Sequence, residues 1–295
     1  MSAGAPARVA VIGLGAMGAG IAAALLLAGY PVTVFNRTRA KAAGLEATGA
    51  TVADSPRQAA REAELVLLSL ADEAAVEQVL FGALADHLRP GQYVIDTSTV
   101  SPAFAREAGR RMSARGLCRV EACVVGNPQM AASGRLRVYT AGDPADVQAV
   151  QAVLAAVSQS VVHLGEAGRA SSLKLAFNLL LGVQTAGLAE AVQLAEAAGL
   201  DRTLLLDALD VSGWRSPVLS FRSRFMRERE YAPAGFRSAL MHKDLRLAQE
   251  EAAAHKVCLP VTDTALRRYA DVLNAGRGDD DAAVVVDVSL PEEEP

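Results

Sequence analysis

Two hydrophobic rhythms divide the chain. Up to about residue 163, short apolar runs alternate with longer segments whose apolar positions recur every three or four residues. Short runs bounded by turn residues read as buried strands, and the longer segments read as amphipathic helices. The expected strands are 9–12, 31–35, 64–70, 92–95, 117–120 and 135–141. Asp72 opens a helix running towards Phe81. Ser101-Pro102 and Asp143-Pro144 each read as a cap followed by proline at the first helical position. Alternation of this kind predicts an α/β fold, a doubly wound parallel sheet with helices on both faces. Past residue 163 the strand signal stops. Residues 167–198 read as one helix of about thirty residues, near 45 Å long at 1.5 Å per residue, and Gly199 ends it. Residues 201–209, 217–227, 236–254 and 260–274 are helical as well. The pattern predicts an α/β domain over 1–164 and an all-α domain built on the long helix over 165–285. The acidic stretch from Gly276 onward reads as largely mobile, with 286–295 a disordered tail.

The first strand runs straight into Gly13-Leu14-Gly15-Ala16-Met17-Gly18, and an Ala- and Leu-rich helix follows up to Gly29. In a βαβ unit each of these glycines has a physical task. Gly13 allows the tight turn, Gly15 lets a pyrophosphate approach the backbone, and Gly18 lets helix and strand pack closely. The helix N-terminus offers unpaired N–H groups and a partial positive charge. A glycine-rich turn alone is common, but strand before and helix after make this one a dinucleotide site.

The end of the second strand bears on which dinucleotide. An acidic side chain there selects NAD through the ribose hydroxyls. This chain has Asn36-Arg37-Thr38, with no charge to repel a 2′-phosphate and a guanidinium to pair with it. Thr38 can add its hydroxyl, or it can simply cap the next helix. NADPH is the expected cofactor. Ser69-Leu70-Ala71 and Asp96-Thr97-Ser98-Thr99 fall at further strand ends, where a nicotinamide needs contacts.

Composition narrows the picture by exclusion. With 295 residues the chain can hold two domains. A net charge of −4, with no Lys/Arg cluster, gives no reason to expect a nucleic-acid partner. The longest apolar stretch, 21–28, is too short to span a bilayer. The start of the chain lacks the pattern of a secretory signal. Cys118, Cys123 and Cys258 form no CxxC pair, so neither a disulfide framework nor a metal site is expected. The reading is a cytoplasmic protein acting on a small molecule.

Inside the long helix Ser171, Lys174, Asn178 and Thr185 recur at spacings of three, four and seven, along one face. Taken alone such a stripe is a solvated face. Beside a nicotinamide domain it reads as the wall of a polar cleft. A lysine in a partly dry cleft can hand a proton to a carbonyl oxygen and remove it in reverse. Asn178, one turn on, can hold the lysine or the substrate oxygen.

Five pieces, in order, carry a resemblance over nearly the whole chain: GLGAMG (13–18), NRT (36–38), DTSTVSP (96–102), GRASSLKLAFN (168–178) and MHKDLRLA (241–248). The chain resembles the β-hydroxyacid dehydrogenases, which include 3-hydroxyisobutyrate dehydrogenases and the glyoxylate and succinic semialdehyde reductases. The resemblance implies a Rossmann-type domain, an all-α domain and a homodimer with packed long helices. It also implies Lys174 as catalytic acid/base, Asn178 as its helper, and Thr99 and Lys243 as cofactor contacts. One segment departs. Where the family carries Asp-Ala-Pro-Val-Ser-Gly-Gly to cradle a substrate carboxylate, this chain has Glu121-Ala122-Cys123-Val124-Val125-Gly126-Asn127. Val125 cannot donate a hydrogen bond. Asn127 can replace the missing serine, and Arg215 beside Trp214 can supply charge. Ser98, Val125, Gly126, Asn127 and Trp214 are the expected substrate contacts; Trp214 can equally pack in the core. The altered cradle brings in the neighbouring imine reductases, which use NADPH on cyclic imines, although Lys174 with Asn178 argues for carbonyl reduction. No phosphate site of the kind a 6-phosphogluconate dehydrogenase needs is found. A non-catalytic dinucleotide-binding module is the third reading.

Overall fold

The computed structural model describes residues 6–288. Its strands are β1 (Val9–Ile12), β2 (Val32–Phe35), β3 (Thr51–Val52), β4 (Leu65–Leu68), β5 (Tyr93–Asp96), β6 (Cys118–Val125), β7 (Leu136–Ala141) and β8 (Ser158–His163). They form one sheet in the order β3-β2-β1-β4-β5-β6-β7-β8. The order turns back at β1, which places the crevice of a doubly wound fold at the carboxyl ends of β1 and β4.

Every paired strand runs parallel except β6 and β7, which are antiparallel. The sheet is doubly wound and parallel as expected, apart from this one pair. A parallel crossover needs about a dozen residues or more, and the link 126–135 carries only the short helix Pro128–Ala132. β3 and β8 were not expected. β3 has two residues, and β8 is an edge strand of half-exposed Ser, Gln and Val with no apolar run to betray it.

Alternation along the strands builds a core on each face. Val9 and Val11 of β1 join Val34, Leu67, Val120 and Val124, under Ile21 and Leu25 of helix α1 (Ala16–Leu27) and Leu154 of helix Pro144–Ala156. Ala10 and Ile12 face the other way, with Val66, Leu68 and Val94 under Leu80, Ala105 and Met112. In the α/β part four helices, and in the helical part Pro217–Glu228 behind Ser216, begin with a side-chain cap followed by proline. Ser55, Ser101, Asn127 and Asp143 each accept from a backbone N–H of the first turn.

The chain divides into two compact units, 1–174 and 175–295. The division falls inside the long helix Arg169–Ala197, ten residues beyond the 164/165 boundary read from sequence (174 against 164). Among the described residues of the second unit the named elements are all helical: Arg202–Val211, Pro217–Glu228, Ser238–Ala254 and Pro260–Asn274, then a final turn Ala282–Asp287. Leu188, Ala189 and Val192 of the long helix pack with Leu206, Met226, Leu245 and Tyr269. By length and composition alone the long helix could span a bilayer; here this part of it is a core helix.

The acidic stretch after Gly276 is not mobile through Val288. Ala282, Ala283, Val284 and Val285 are all completely buried. Asp281 pairs with Arg222 at 2.6 Å and accepts from the backbone of Gly235, Phe236 and Ala283. Arg268 donates to the carbonyls of Val285 and Val288, and Arg202 pairs with Asp287 at 2.8 Å. The proposed tail therefore loses Val286, Asp287 and Val288 to the core; residues 289–295 lie outside the described residues. An acidic run looks solvated in sequence, but here one carboxylate of the run has a buried arginine waiting for it. The alternative that packs Trp214 in the core fails. The residue is 79% exposed and packs in no core.

Candidate functional site

At the carboxyl end of β1 the glycine-rich turn has little freedom. Gly13 has φ +97°, and a Cβ there would stand 2.2 Å from the Ser69 carbonyl oxygen. A Cβ on Gly18 would stand 2.0 Å from the Gly13 carbonyl oxygen, so helix and turn touch backbone to backbone. Gly15 differs, since a Cβ there would meet nothing within 4 Å. α1 begins after Gly15 with no side-chain cap and no acidic residue in its first turn. Its leading N–H groups, at Ala16 and Met17, thus face open space with the positive end of the helix behind them. That cradle fits the pyrophosphate of a dinucleotide.

Asn36, at the end of β2, holds this turn in place. Its Oδ1 accepts from the Leu14 N–H at 2.9 Å, and its Nδ2 donates to the Thr38 carbonyl at 3.0 Å. Arg37 and Thr38 are exposed, and Thr38 makes no side-chain cap to the turn Arg39–Ala42. The hydroxyl is not spent on capping, as one reading of the sequence had it.

The ends of β4 and β5 are laced together. The Leu70 N–H donates to Ser98 Oγ at 3.0 Å, and Thr97 Oγ1 donates to the Leu68 carbonyl at 2.7 Å. The Ser98 N–H donates to Asp96 Oδ1, while Asp96 Oδ2 pairs with Arg119 at 2.7 Å, both side chains buried. Ser98 is buried and Thr99 half-buried, while Ala71 is exposed. This lacing holds the strand-end loops at fixed positions.

β6 carries the rest. Glu121 is 2% exposed, and its carboxylate accepts from the Gly168 N–H at 2.7 Å and the Ser171 N–H at 2.5 Å. It is thus the anionic cap of the long helix. One turn on, Lys174 Nζ donates to the Val124 carbonyl at 2.9 Å. Between them lies Cys123, whose thiol is pushed well above its ordinary value by burial and then by the Glu121 charge, with Lys174 acting the other way. It is a packing residue, not a nucleophile. Val125 is half-buried at the strand end, and Gly126 has φ +150° with Leu136 against it. Asn127 Oδ1 accepts from the Met130 N–H at 2.9 Å, capping helix Pro128–Ala132. With its oxygen so engaged, its amide nitrogen is left as a donor.

One edge of the first unit therefore brings together the 13–18 turn, 36–38, Leu70, Ala71, Ser98, Thr99, 125–127 and Lys174. Asn178, Lys243 and Trp214 belong to the second unit. There Asn178, 4% exposed, donates from Nδ2 to Asp244 Oδ2 at 2.5 Å, and Lys243 pairs with Asp244 at 2.8 Å. A carboxylate can only accept, so Asp244 turns the Asn178 carbonyl oxygen away from itself. The motifs contain Glu121, Asp96 and Asp244, but nothing in the sequence marks their tasks as helix cap, arginine partner and amide partner. A buried carboxylate shows its partner only after folding.

Comparison with known proteins shows the family. Residues 8–165 match the NAD binding domain of 6-phosphogluconate dehydrogenase. Residues 168–289 match the NAD-binding domain of NADP-dependent 3-hydroxyisobutyrate dehydrogenase. An NAD-dependent L-serine dehydrogenase of Pseudomonas aeruginosa is 35% identical over 94% of this chain and 96% of its own length. The crystal structure of a 3-hydroxyisobutyrate dehydrogenase from Salmonella typhimurium superposes with TM-score 0.91 at 31% identity, covering 96% of this chain and 99% of that one. A reductive aminase from Aspergillus terreus, in complex with NADPH and ethyl levulinate, gives TM-score 0.64 at 26% identity, over 96% and 99% of the two chains. The chain belongs to the 3-hydroxyisobutyrate dehydrogenase family of NAD(P)-dependent hydroxyacid dehydrogenases, oxidoreductases built on a nicotinamide cofactor.

Proposed function

We propose that the protein is an NADPH-dependent reductase of small aldehydes or ketones of the semialdehyde or hydroxyacid type. The observation that carries this reading is Lys174 Nζ, fixed 2.9 Å from the Val124 carbonyl on the sheet edge that also bears the glycine-rich turn. When bound, the nicotinamide exchanges a hydride with the substrate carbon. The Val124 carbonyl holds the ammonium in place, and the ammonium N–H groups are donors of the kind the substrate oxygen needs. Lys174 gives a proton to that oxygen as the alcohol forms and takes it back in the reverse direction. Asn178 assists with the carbonyl oxygen that Asp244 leaves free. Ser98, Val125, Gly126 and Asn127 line the substrate's place.

For the cofactor, the open N-terminus of α1 receives the pyrophosphate, with Leu70, Ala71, Thr99 and Lys243 as further contacts. Arg37 supports NADPH over NADH. It is an exposed guanidinium beside Thr38, at a strand end without an acidic side chain. Exposed Phe177, Leu180 and Leu194 on the long helix support a homodimer, and three free cysteines suit a reducing, cytoplasmic setting. Trp214 we assign to no contact within one chain.

A second reading, imine reduction, is favoured by Val125, which cannot hydrogen-bond a carboxylate, and by the likeness to the reductive aminase. The test measures NADPH and NADH oxidation with short semialdehydes and with cyclic imines, comparing wild type with Lys174→Met. The expected result is semialdehyde turnover with NADPH that falls by about 10² to 10⁴ in the variant. Imine turnover that survives the substitution would replace the first reading with the second. A cofactor that binds and is oxidised by neither set would leave a binding module.

A further inference from the structure

Val125, the last residue of β6, is paired with Arg137 directly across the antiparallel ladder. Directly opposite residues of such a pair project to one face, with Cβ atoms about 4.5–5.5 Å apart. That face is the one bearing the proton donor. Glu121 and Cys123, at alternate positions before Val125, meet Gly168, Ala170 and Ser171 at the start of the long helix, and Lys174 follows one turn on. The start of β7 lies beside the carboxyl end of β6, so Arg137 stands at the substrate end of the strand. It sits on an interior strand, between β6 and β8, with Leu136 and Val138 buried on either side of it in sequence. Yet Arg137 is exposed, and its side chain enters no hydrogen bond or ion pair among the described residues. Its neighbours in sequence and sheet are committed by contrast: Arg135 bonds Ser133, and Arg119 is locked to Asp96.

We propose that Arg137 captures an anionic end of the substrate, a carboxylate, beside Lys174. The planar guanidinium offers two parallel N–H donors that match a carboxylate's two oxygens. Asn127 Nδ2, freed by the capping bond of its oxygen, is the second donor. Val125 then needs no polar atom. The anion is recognised from the neighbouring strand, and Val125 packs against the substrate's carbon chain. This assignment deepens the proposed carbonyl reduction and rests on its placing the substrate beside Lys174.

The test is a calorimetric titration of the NADP+-loaded protein with 3-hydroxypropionate and 4-hydroxybutyrate, against 1,3-propanediol and 1,4-butanediol. Each pair differs only in the carboxylate. Wild type is expected to favour the acids about tenfold or more, a preference that weakens with added salt. R137M loses that preference and R137K keeps part of it. Wild type without preference, or R137M with the preference intact, would overturn the assignment. Lys174→Met separates the two proposals. It loses turnover and keeps the acid preference if both hold. Turnover retained in that variant removes the proton donor and leaves the titration result standing for Arg137.

Discussion

Gly15 and Gly18 stand three residues apart and answer to different demands. Gly18 is required by the protein itself, because its Cβ would fall 2.0 Å from the Gly13 carbonyl oxygen. Gly15 meets nothing within 4 Å, and only a bound phosphate would need that space. Two substitutions should therefore part company. Gly15→Ala is expected to keep the melting temperature and raise the Kd for NADPH. Gly18→Ala is expected to lose about 2–3 kcal/mol of stability as well, since backbone must move to admit the methyl. Thermal melts with and without NADPH read both. An equal loss of melting temperature in the two would end the distinction. The same scale shows why Asn36 is better suited here than an acid. It needs both an acceptor for Leu14 and a donor for Thr38, and a carboxylate has only acceptors.

At the scale of elements, the polar stripe of the long helix is a set of separate attachments. Ser171, Asn178 and Thr185 are all nearly completely buried, so the solvated-face reading fails for them. The Ser171 N–H meets Glu121, Asn178 meets Asp244, and Thr185 Oγ1 bonds back to the Leu181 carbonyl at 2.7 Å. Glu121 has the largest mechanical role. It fixes the start of the helix on β6, and Lys174 is one turn further along. Glu121→Ala would strand two buried N–H groups and is expected to cost about 2–4 kcal/mol. Urea unfolding of the first unit would show it as a lower midpoint at unchanged slope. A change below about 0.5 kcal/mol would mean water takes over the cap.

For the molecule as a whole, the arginine-pinned C-terminal segment sets the acid limit of the helical unit. Glu196 is held below the usual carboxylate range by its bond to Arg202. Burial pushes Asp287 up, but the bonds from Arg202 and Tyr231 outweigh it and hold it low. Carboxyls depressed on folding stabilise the native state fully above their unfolded values, about pH 4. That contribution is lost as pH falls through the lower folded values. The urea midpoint is therefore expected to drop steadily below about pH 4. Arg202→Met should lower the midpoint at neutral pH and flatten the acid slope. An acid slope identical to wild type would place the titrating groups elsewhere.

Hydrophobic period, caps and glycine spacing are local properties. They sufficed for β1, α1, the long helix and the start of helix Pro260–Asn274, because burial on a sheet face or helix stripe leaves a repeat in the chain. The 13–18 turn was legible for the same reason, since backbone close approach permits only glycine. Lys174 was legible through its motif and its place on a polar stripe. What tertiary structure alone decided involves partners far apart in sequence. Asp281 reads as one more acid in a solvated run until Arg222 is folded onto it. Glu121 reads as a substitution in a cradle until the start of the long helix lands on its carboxylate. Arg137 is one residue of an expected strand until the antiparallel register sets it beside Val125. A charge or hydrogen bond joins two residues without imposing any period on the chain, so pairing of this kind becomes visible only when folding brings the two together.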